Sequence, residues 1–235
     1  MNARDMTAKY TLLKKRSSYH PTKRGAEIER FGNPGFQAQL SILLEIVSQE
    51  FQVSVFPDDS LAVAIVRGVA ICQAENSDAG EWVMSAAEWV EWTGLKRHRL
   101  DVAKKMLMDT GELLVSVKGF PPKSYCQCFY LAEKRHSLST FSYHVGLSYF
   151  LGYEAAALFS WMAQLDKELE AQGYFFHLRM EDIQQSLGLS RYQVDRARKK
   201  LIEHDLLKER FWGIPAVREF RLKLDGLEQL ISQEQ

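Results

Sequence analysis

The stretch Gly94 to Pro121, GLKRHRLDVAKKMLMDTGELLVSVKGFP, falls without a gap on Gly188 to Pro215, GLSRYQVDRARKKLIEHDLLKERFWGIP. Ten of the 28 positions coincide, where ordinary composition gives about two. A period of 94 residues is the length of a domain rather than of a solenoid unit. Each copy reads in the same order: a Gly-Leu turn, a basic helix, and a hairpin that turns at Gly-Phe-Pro or Gly-Ile-Pro. Gly94 and Gly188 stand where a turn between two helices needs a residue that tolerates positive φ. Proline donates no backbone hydrogen bond, which places Pro121 and Pro215 at hairpin tips.

Working outward, Ser60 to Gln73 (SLAVAIVRGVAICQ) is apolar nearly all round, as a helix buried between neighbours is, with Asp58 or Asp59 to cap it. Its counterpart is Tyr153 to Lys167. Short strands are expected at 80–84 and 173–178. Second helices begin near Ser85 and Arg179, with inward residues Ala86, Trp89 and Thr93 or Met180, Ile183 and Leu187. Third helices run from about Lys96 to Asp109 and from Ser190 to His204; Ser190 is a natural N-cap and Lys96 is not. Phe36 to Phe51 has a helical apolar face at Leu40, Leu43, Leu44 and Val47 and is expected to pack on the first unit. The fold class this predicts is mostly α with small β wings (α+β), as two tandem winged helix-turn-helix domains. The divisions are a basic flexible arm over 1–35, an N-terminal domain with its leading helix over 36–131, a linker over 132–152, and a C-terminal domain with a closing helix over 153–235.

Thirty acidic and 30 basic residues cancel, so bulk charge selects no partner. Its distribution is uneven: residues 1–25 carry seven bases and one acid, a basic arm ahead of a mildly acidic body. No apolar run reaches the ~20 residues that span a bilayer, and no secretory signal opens the chain, so a cytoplasmic protein without membrane contact is expected. Three cysteines make no disulfide framework and no four-ligand zinc set of recognisable spacing, and they are expected as core residues. There is no phosphate loop, zinc helix or nucleophile elbow, and the six histidines are scattered. The expectation is a protein that is not an enzyme and uses no cofactor or metal.

A helix that enters the major groove needs one face for the core and one for DNA. In the second copy Val194, Ala197 and Leu201 mark the core face, which leaves Tyr192, Arg196 and Lys199 opposite, Gln193 and Lys200 at the edges, and Arg191 at the start. Arg196 suits guanine and Gln193 adenine, while Lys199 and Lys200 suit phosphates. The first copy offers Arg97, His98, Arg99 and Lys105. On the hairpins Lys118 and Arg210 are placed to reach the backbone or the minor groove. Where the second copy has Gln184, Ser186 and Arg196, the first has Val90, Trp92 and Val102, an apolar set that points to an interface with the other unit, a second copy of the chain, or another protein.

The strings AALFSWMAQL (156–165), GYF (173–175), LGLSR (187–191), RKKL (198–201), GIP (213–215) and EFRL (219–222) resemble the winged-helix domains of phage and plasmid replication initiation proteins. GEW (80–82), TGLKR (93–97) and GFP (119–121) extend the resemblance to the first copy, so that it covers roughly residues 58–225. It implies a double-stranded DNA-binding protein at an origin or operator, with paired half-sites about one helical turn apart and recruited replication or transcription proteins. Three readings stay open: replication initiator or accessory protein of a mobile element, transcriptional regulator, and winged-helix interaction subunit of a chromosome-organising complex. Fold alone does not choose among them.

Overall fold

The computed structural model describes residues 35–47, 50–77, 80–118, 123–128, 137–169, 171 and 173–232. The basic arm (1–34) and the first hairpin turn (119–122) lie outside the described residues. In chain order the elements are α1 (Phe36–Val47), β1 (Glu50–Val55), α2 (Leu61–Glu75), β2 (Glu81–Val83), α3 (Ala86–Thr93), α4 (Arg97–Asp109), β3 (Leu113–Lys118), β4 (Lys123–Cys128), β5 (Ser139–His144), α5 (Val145–Leu151), α6 (Tyr153–Glu168), β6 (Phe176–His177), α7 (Met180–Leu187), α8 (Arg191–Glu203), β7 (Leu207–Trp212), β8 (Val217–Leu222) and α9 (Asp225–Ser232). This is a mixed α and β protein with small antiparallel sheets. Among the described residues no helix is long and apolar enough to cross a membrane.

The sequence repeat is a structural repeat. Shifted by the same 94 positions, the bounds of α3, α4, β3 and β4 fall on those of α7, α8, β7 and β8. The two three-stranded sheets also share one strand order, β2-β4-β3 and β6-β8-β7. Identical residues in the repeat explain this: Leu95 and Leu189, Ala103 and Ala197, Leu107 and Leu201, and Leu113 and Leu207 are all buried at equivalent places. Local capping fixes the helix starts. Ser85 and Ser190 each form a capping box, with Glu88 and Gln193 respectively, whereas Lys96 supplies no side-chain cap. Ser60, not an aspartate, caps α2 by accepting from the Val63 N–H; Asp59 is taken instead by the buried Arg67 guanidinium at 2.5 Å, which also donates to Glu112 at 2.6 Å.

Two segments depart from the sequence expectations. The helix expected over Phe36 to Phe51 stops at Val47, because EFQVSV (50–55) alternates exposed and buried residues and forms β1. Residues 139–151, expected within a linker, form β5 and α5 and bury Phe141, Tyr143, Leu147 and Leu151. β1 and β5 pair antiparallel along six positions, from Glu50 opposite His144 to Val55 opposite Ser139. One face of this ribbon carries the Gln52–Ser142 and Ser54–Thr140 hydrogen bonds. The other stacks Phe51 on Tyr143, ring centroids 5.4 Å apart. Helix α2 packs on β1 and α6 on β5, so the ribbon joins the two halves through their first helices. The leading helix α1 is also placed differently from expectation: it lies against α9, with Gln39 bonded to Glu228, and reaches α6, where Gln37 donates to Asp166. It belongs to the packing of the second half because Phe36, Leu40 and Leu44 find their apolar surface there.

The segment 139–151 also holds both interhelical turns. Tyr143 donates to the Thr93 carbonyl at 3.2 Å and Ser139 to the Ser186 carbonyl. A Cβ added at Gly94 (φ +64°) would lie 1.8 Å from Ser148 Oγ, and one at Gly188 (φ +60°) 2.4 Å from the Asp59 carbonyl oxygen. Each turn glycine therefore meets both a left-handed backbone and the wall of the opposite half. Gly94→Ala and Gly188→Ala are each expected to destabilise the fold by about 3 kcal/mol, adding left-handed strain to overpacking; urea unfolding monitored by circular dichroism measures it.

His144 closes the ribbon in a buried position where burial pushes its imidazole down to about 4. The unfolded chain takes up this proton near 6.5 and the folded chain only near 4. Stability from this group is complete above pH 6.5 and falls as the pH is lowered toward 4. The loss expected across that window is about 3 kcal/mol. His144→Gln should flatten the pH dependence of unfolding between pH 4 and 6.5, measured by urea titration.

Candidate nucleic-acid interface

Helices α4 and α8 each turn an apolar stripe inward, Leu100, Ala103 and Leu107 or Val194, Ala197 and Leu201, and leave the opposite stripe exposed. On α4 the exposed residues include Arg97, His98, Arg99 and Lys105. Arg97 is 4.0 Å from Asp101 across one exposed turn, a weak tie. On α8 Arg191, Tyr192, Arg196 and Lys199 are exposed and Lys200 is half-buried. Lys104 of α4 takes no part in this face: it lies over the Trp89 ring at 5.0 Å, and burial pushes its ammonium pKa down.

The sequence does not place these two helices relative to each other. The structure brings them to the edges of one open cleft of about 430 Å³, lined by Lys96 and Arg99 from the first half, Arg196 and Lys200 from the second, and the first turn of α6. Its floor holds Glu154, a residue only 5% exposed. The carboxylate accepts from Gln193 Nε2 at 2.9 Å, from Arg196 Nε at 3.1 Å and Nη2, and from the Tyr153 hydroxyl at 2.9 Å. Arg99 Nη1 stands 4.0 Å from the same carboxylate and donates to Tyr153 Oη at 2.5 Å. Burial opposes ionisation of Glu154, but the Arg196, Gln193 and Tyr153 hydrogen bonds outweigh it and hold the carboxyl below its ordinary pKa. Four cations around one carboxylate leave the cleft positive, and such a site attracts polyanions.

This geometry changes several sequence assignments. Gln193 is not free to read adenine: its Oε1 accepts from the Ser190 N–H in the capping box while its Nε2 donates to Glu154. Arg196 remains half exposed, but its guanidinium is turned to Glu154, which raises its pKa. Because Arg99 and Arg196 reach one carboxylate, their helices stand closer together than the ~34 Å between half-sites one turn apart. Val90 and Trp92 are partly buried against the core, and α5 lies over their helix, with Tyr149 donating to the Glu91 carbonyl. Only Val102 of that apolar set is exposed, at 49%.

On the second hairpin Arg210 is paired with Glu219 at 2.9 Å and lies over the Phe175 ring at 3.9 Å. The side chain of Lys118 lies outside the described residues. Glu154 was not among the sequence candidates, although one signal was present: it is the sole charged residue in Tyr153 to Leu165. Among the described residues no cluster of three or more His, Cys, Asp or Glu is placed to hold a metal ion, and the three cysteines are free thiols, with Cys126 buried. No protein-family profile and no curated protein matches this chain.

Glu154 both holds Arg196 and repels any anion that approaches the cleft. Glu154→Gln is expected to tighten binding to random-sequence duplex by roughly five- to tenfold, since one negative charge leaves a site of reduced dielectric. Fluorescence anisotropy at fixed salt checks it; unchanged or weaker binding excludes a polyanion from the cleft.

Proposed function

We propose that the two repeated units are winged helix-turn-helix modules and that the chain binds double-stranded DNA through α4 and α8 as one surface. The observation that carries the reading is the convergence of both exposed basic helices, equivalent in sequence and register, on the cleft around Glu154. The order helix, strand, helix, helix, hairpin in each half supports it, as does a third helix that in each half leaves basic residues exposed. Arg191, Lys199 and Lys200 of α8, and Arg97 and Lys105 of α4, contact phosphates; Arg196 and Arg99 lie nearest the bases. The resemblance to initiation proteins favours replication initiation or an accessory role at the origin of a mobile element, and an operator-binding regulator uses the same helices. The genomic location of the bound fragments separates the two.

A protein partner is favoured by one specific observation. Where α8 presents Arg196 and Lys200, α4 presents Val102 and Met106, both more than 40% exposed and one helical turn apart. In this reading the second half supplies most of the DNA contact and the outer face of α4 takes a protein, a second copy of the chain included.

Charge reversal at the exposed positions of α8 tests the proposal. With some six phosphate contacts, log K against log salt should slope near −5. The double variant Arg196→Glu, Lys199→Glu should lower affinity for random duplex about a hundredfold and reduce that slope in magnitude by about 2. Equal salt slopes for the variant and the natural chain overturn the assignment of α8.

A further inference from the structure

The hairpin β7–β8 ends in a cluster of exposed apolar side chains. Every residue from Phe211 through Val217 is exposed: Phe211 60%, Trp212 40%, Val217 37%, and Ile214, at the turn, fully so. Single exposed apolar residues are ordinary, but four within seven positions at one tip form a patch that water does not favour. The folded chain gives this patch no purpose. Gly213, with φ +85°, makes the turn, and the next residues are Ile214 and Pro215.

The hairpin is built to project. β6 pairs with β8 at Phe220 and Glu219, and His177 of β6 also hydrogen-bonds to the Arg218 carbonyl at 2.8 Å, so the register pair Trp212–Val217 and the turn beyond it project past the third strand. From Phe211, opposite Arg218, to Ile214 the ribbon extends roughly 10 Å at strand rise. That exceeds the ~7.5 Å depth of the minor groove of B-DNA, whose width of ~6 Å admits a tip but not a helix. Nearest the tip the strands carry Arg218 and Arg210, the latter paired with Glu219 at 2.9 Å, while Lys208 and Arg221 stand opposite each other toward the base of the hairpin. Arg218 lies over the Phe211 ring at 4.9 Å and Arg210 within 5.1 Å of the Trp212 ring, which sets guanidinium groups alongside the tip. The hairpin is also locked to the helix beside it. Arg198 of α8 is buried and donates to Glu209 of β7 at 2.5 and 3.1 Å while holding Asp195 at 2.5 Å, so α8 and the ribbon meet a ligand as one piece.

The geometry points to a second activity: the tip of this hairpin, led by Ile214, is a wedge that enters the minor groove, partly unstacks a base step and kinks the duplex. The inference rests on the duplex-binding reading above. Apolar wedges of this residue type open a kink of about 20–90° toward the major groove, and flexible TpA steps yield most readily. The Arg218 and Arg210 guanidinium groups beside the tip select a polyanion over an apolar protein groove as the occupant.

The test uses the full chain and a duplex of about 40 base pairs rich in TpA steps, with donor and acceptor dyes at its ends. The natural chain should raise energy transfer on binding. Ile214→Ser should still bind within about tenfold of the natural affinity while losing more than half of the transfer increase, and Ile214→Leu should restore it. Because Ile214 touches no core residue, all three chains should show the same thermal unfolding by circular dichroism. Binding by the natural chain without a change in transfer overturns the wedge and leaves the duplex reading standing. Equal bending by the natural chain and Ile214→Ser likewise overturns it; if that substitution also abolishes self-association in sedimentation, the tip is a contact between copies. Failure of the natural chain to bind duplex at all overturns both.

Discussion

The two halves of this protein are held in register by the close approach of each interhelical turn to the opposite half. Gly94 sits against Ser148, and Gly188 against the carbonyl of Asp59, at separations no side chain fits. The β1–β5 ribbon makes these approaches possible by joining the halves through strands nearly a hundred positions apart in the chain. Each half has its own three-stranded sheet, but one contiguous apolar core runs through both, and the surfaces on which α2 and α6 rest are the two strands of one ribbon. Two sequence copies that need only have been linked are thereby fixed as a single frame, and the position of α4 relative to α8 follows from it.

That position has an electrostatic consequence. Like charges brought together by packing repel, and Arg99 and Arg196 would do so across the cleft were Glu154 not between them. The carboxylate is buried at the start of α6, where the first-turn amides favour negative charge. It collects hydrogen bonds from Gln193 and Arg196 of α8 and from Tyr153, with Arg99 of α4 4.0 Å away, and the hydrogen bonds hold its pKa down. The arrangement holds the arginine side chains at small entropic cost, since they are already ordered before any ligand arrives.

The asymmetry between the copies is as informative as their likeness. Among the identical pairs, the buried leucines and alanines and the turn glycines Gly94 and Gly188 are what packing requires, whereas the exposed cations Arg97, Arg191, Lys105 and Lys199 are not. Between them lie the substitutions that separate the two faces, with Val102 and Met106 in the first copy where the second has Arg196 and Lys200. One scaffold thus presents a cationic surface on one side and a more apolar one on the other. A basic helix and a projecting ribbon, pinned together through Arg198, belong to the cationic side.

Much of this was legible in the residues. The 94-residue repeat determined the two units, the order of elements in each, the turn glycines, the Ser190 cap, and the exposed face of each basic helix, because all of these follow from local periodicity and local backbone chemistry. The sequence did not reveal the ribbon: EFQVSV and STFSYH are short, and pairing between segments so far apart leaves no local trace. For the same reason α1 was assigned to the wrong half, and residues 139–151 read as a linker. Gln193 and Arg196 looked free because the carboxylate that engages them lies some forty positions earlier, on another helix. Periodicity tells which side of a helix meets the core. Only tertiary packing decides which distant side chain waits on the other side, since charge and shape act through space and not along the chain.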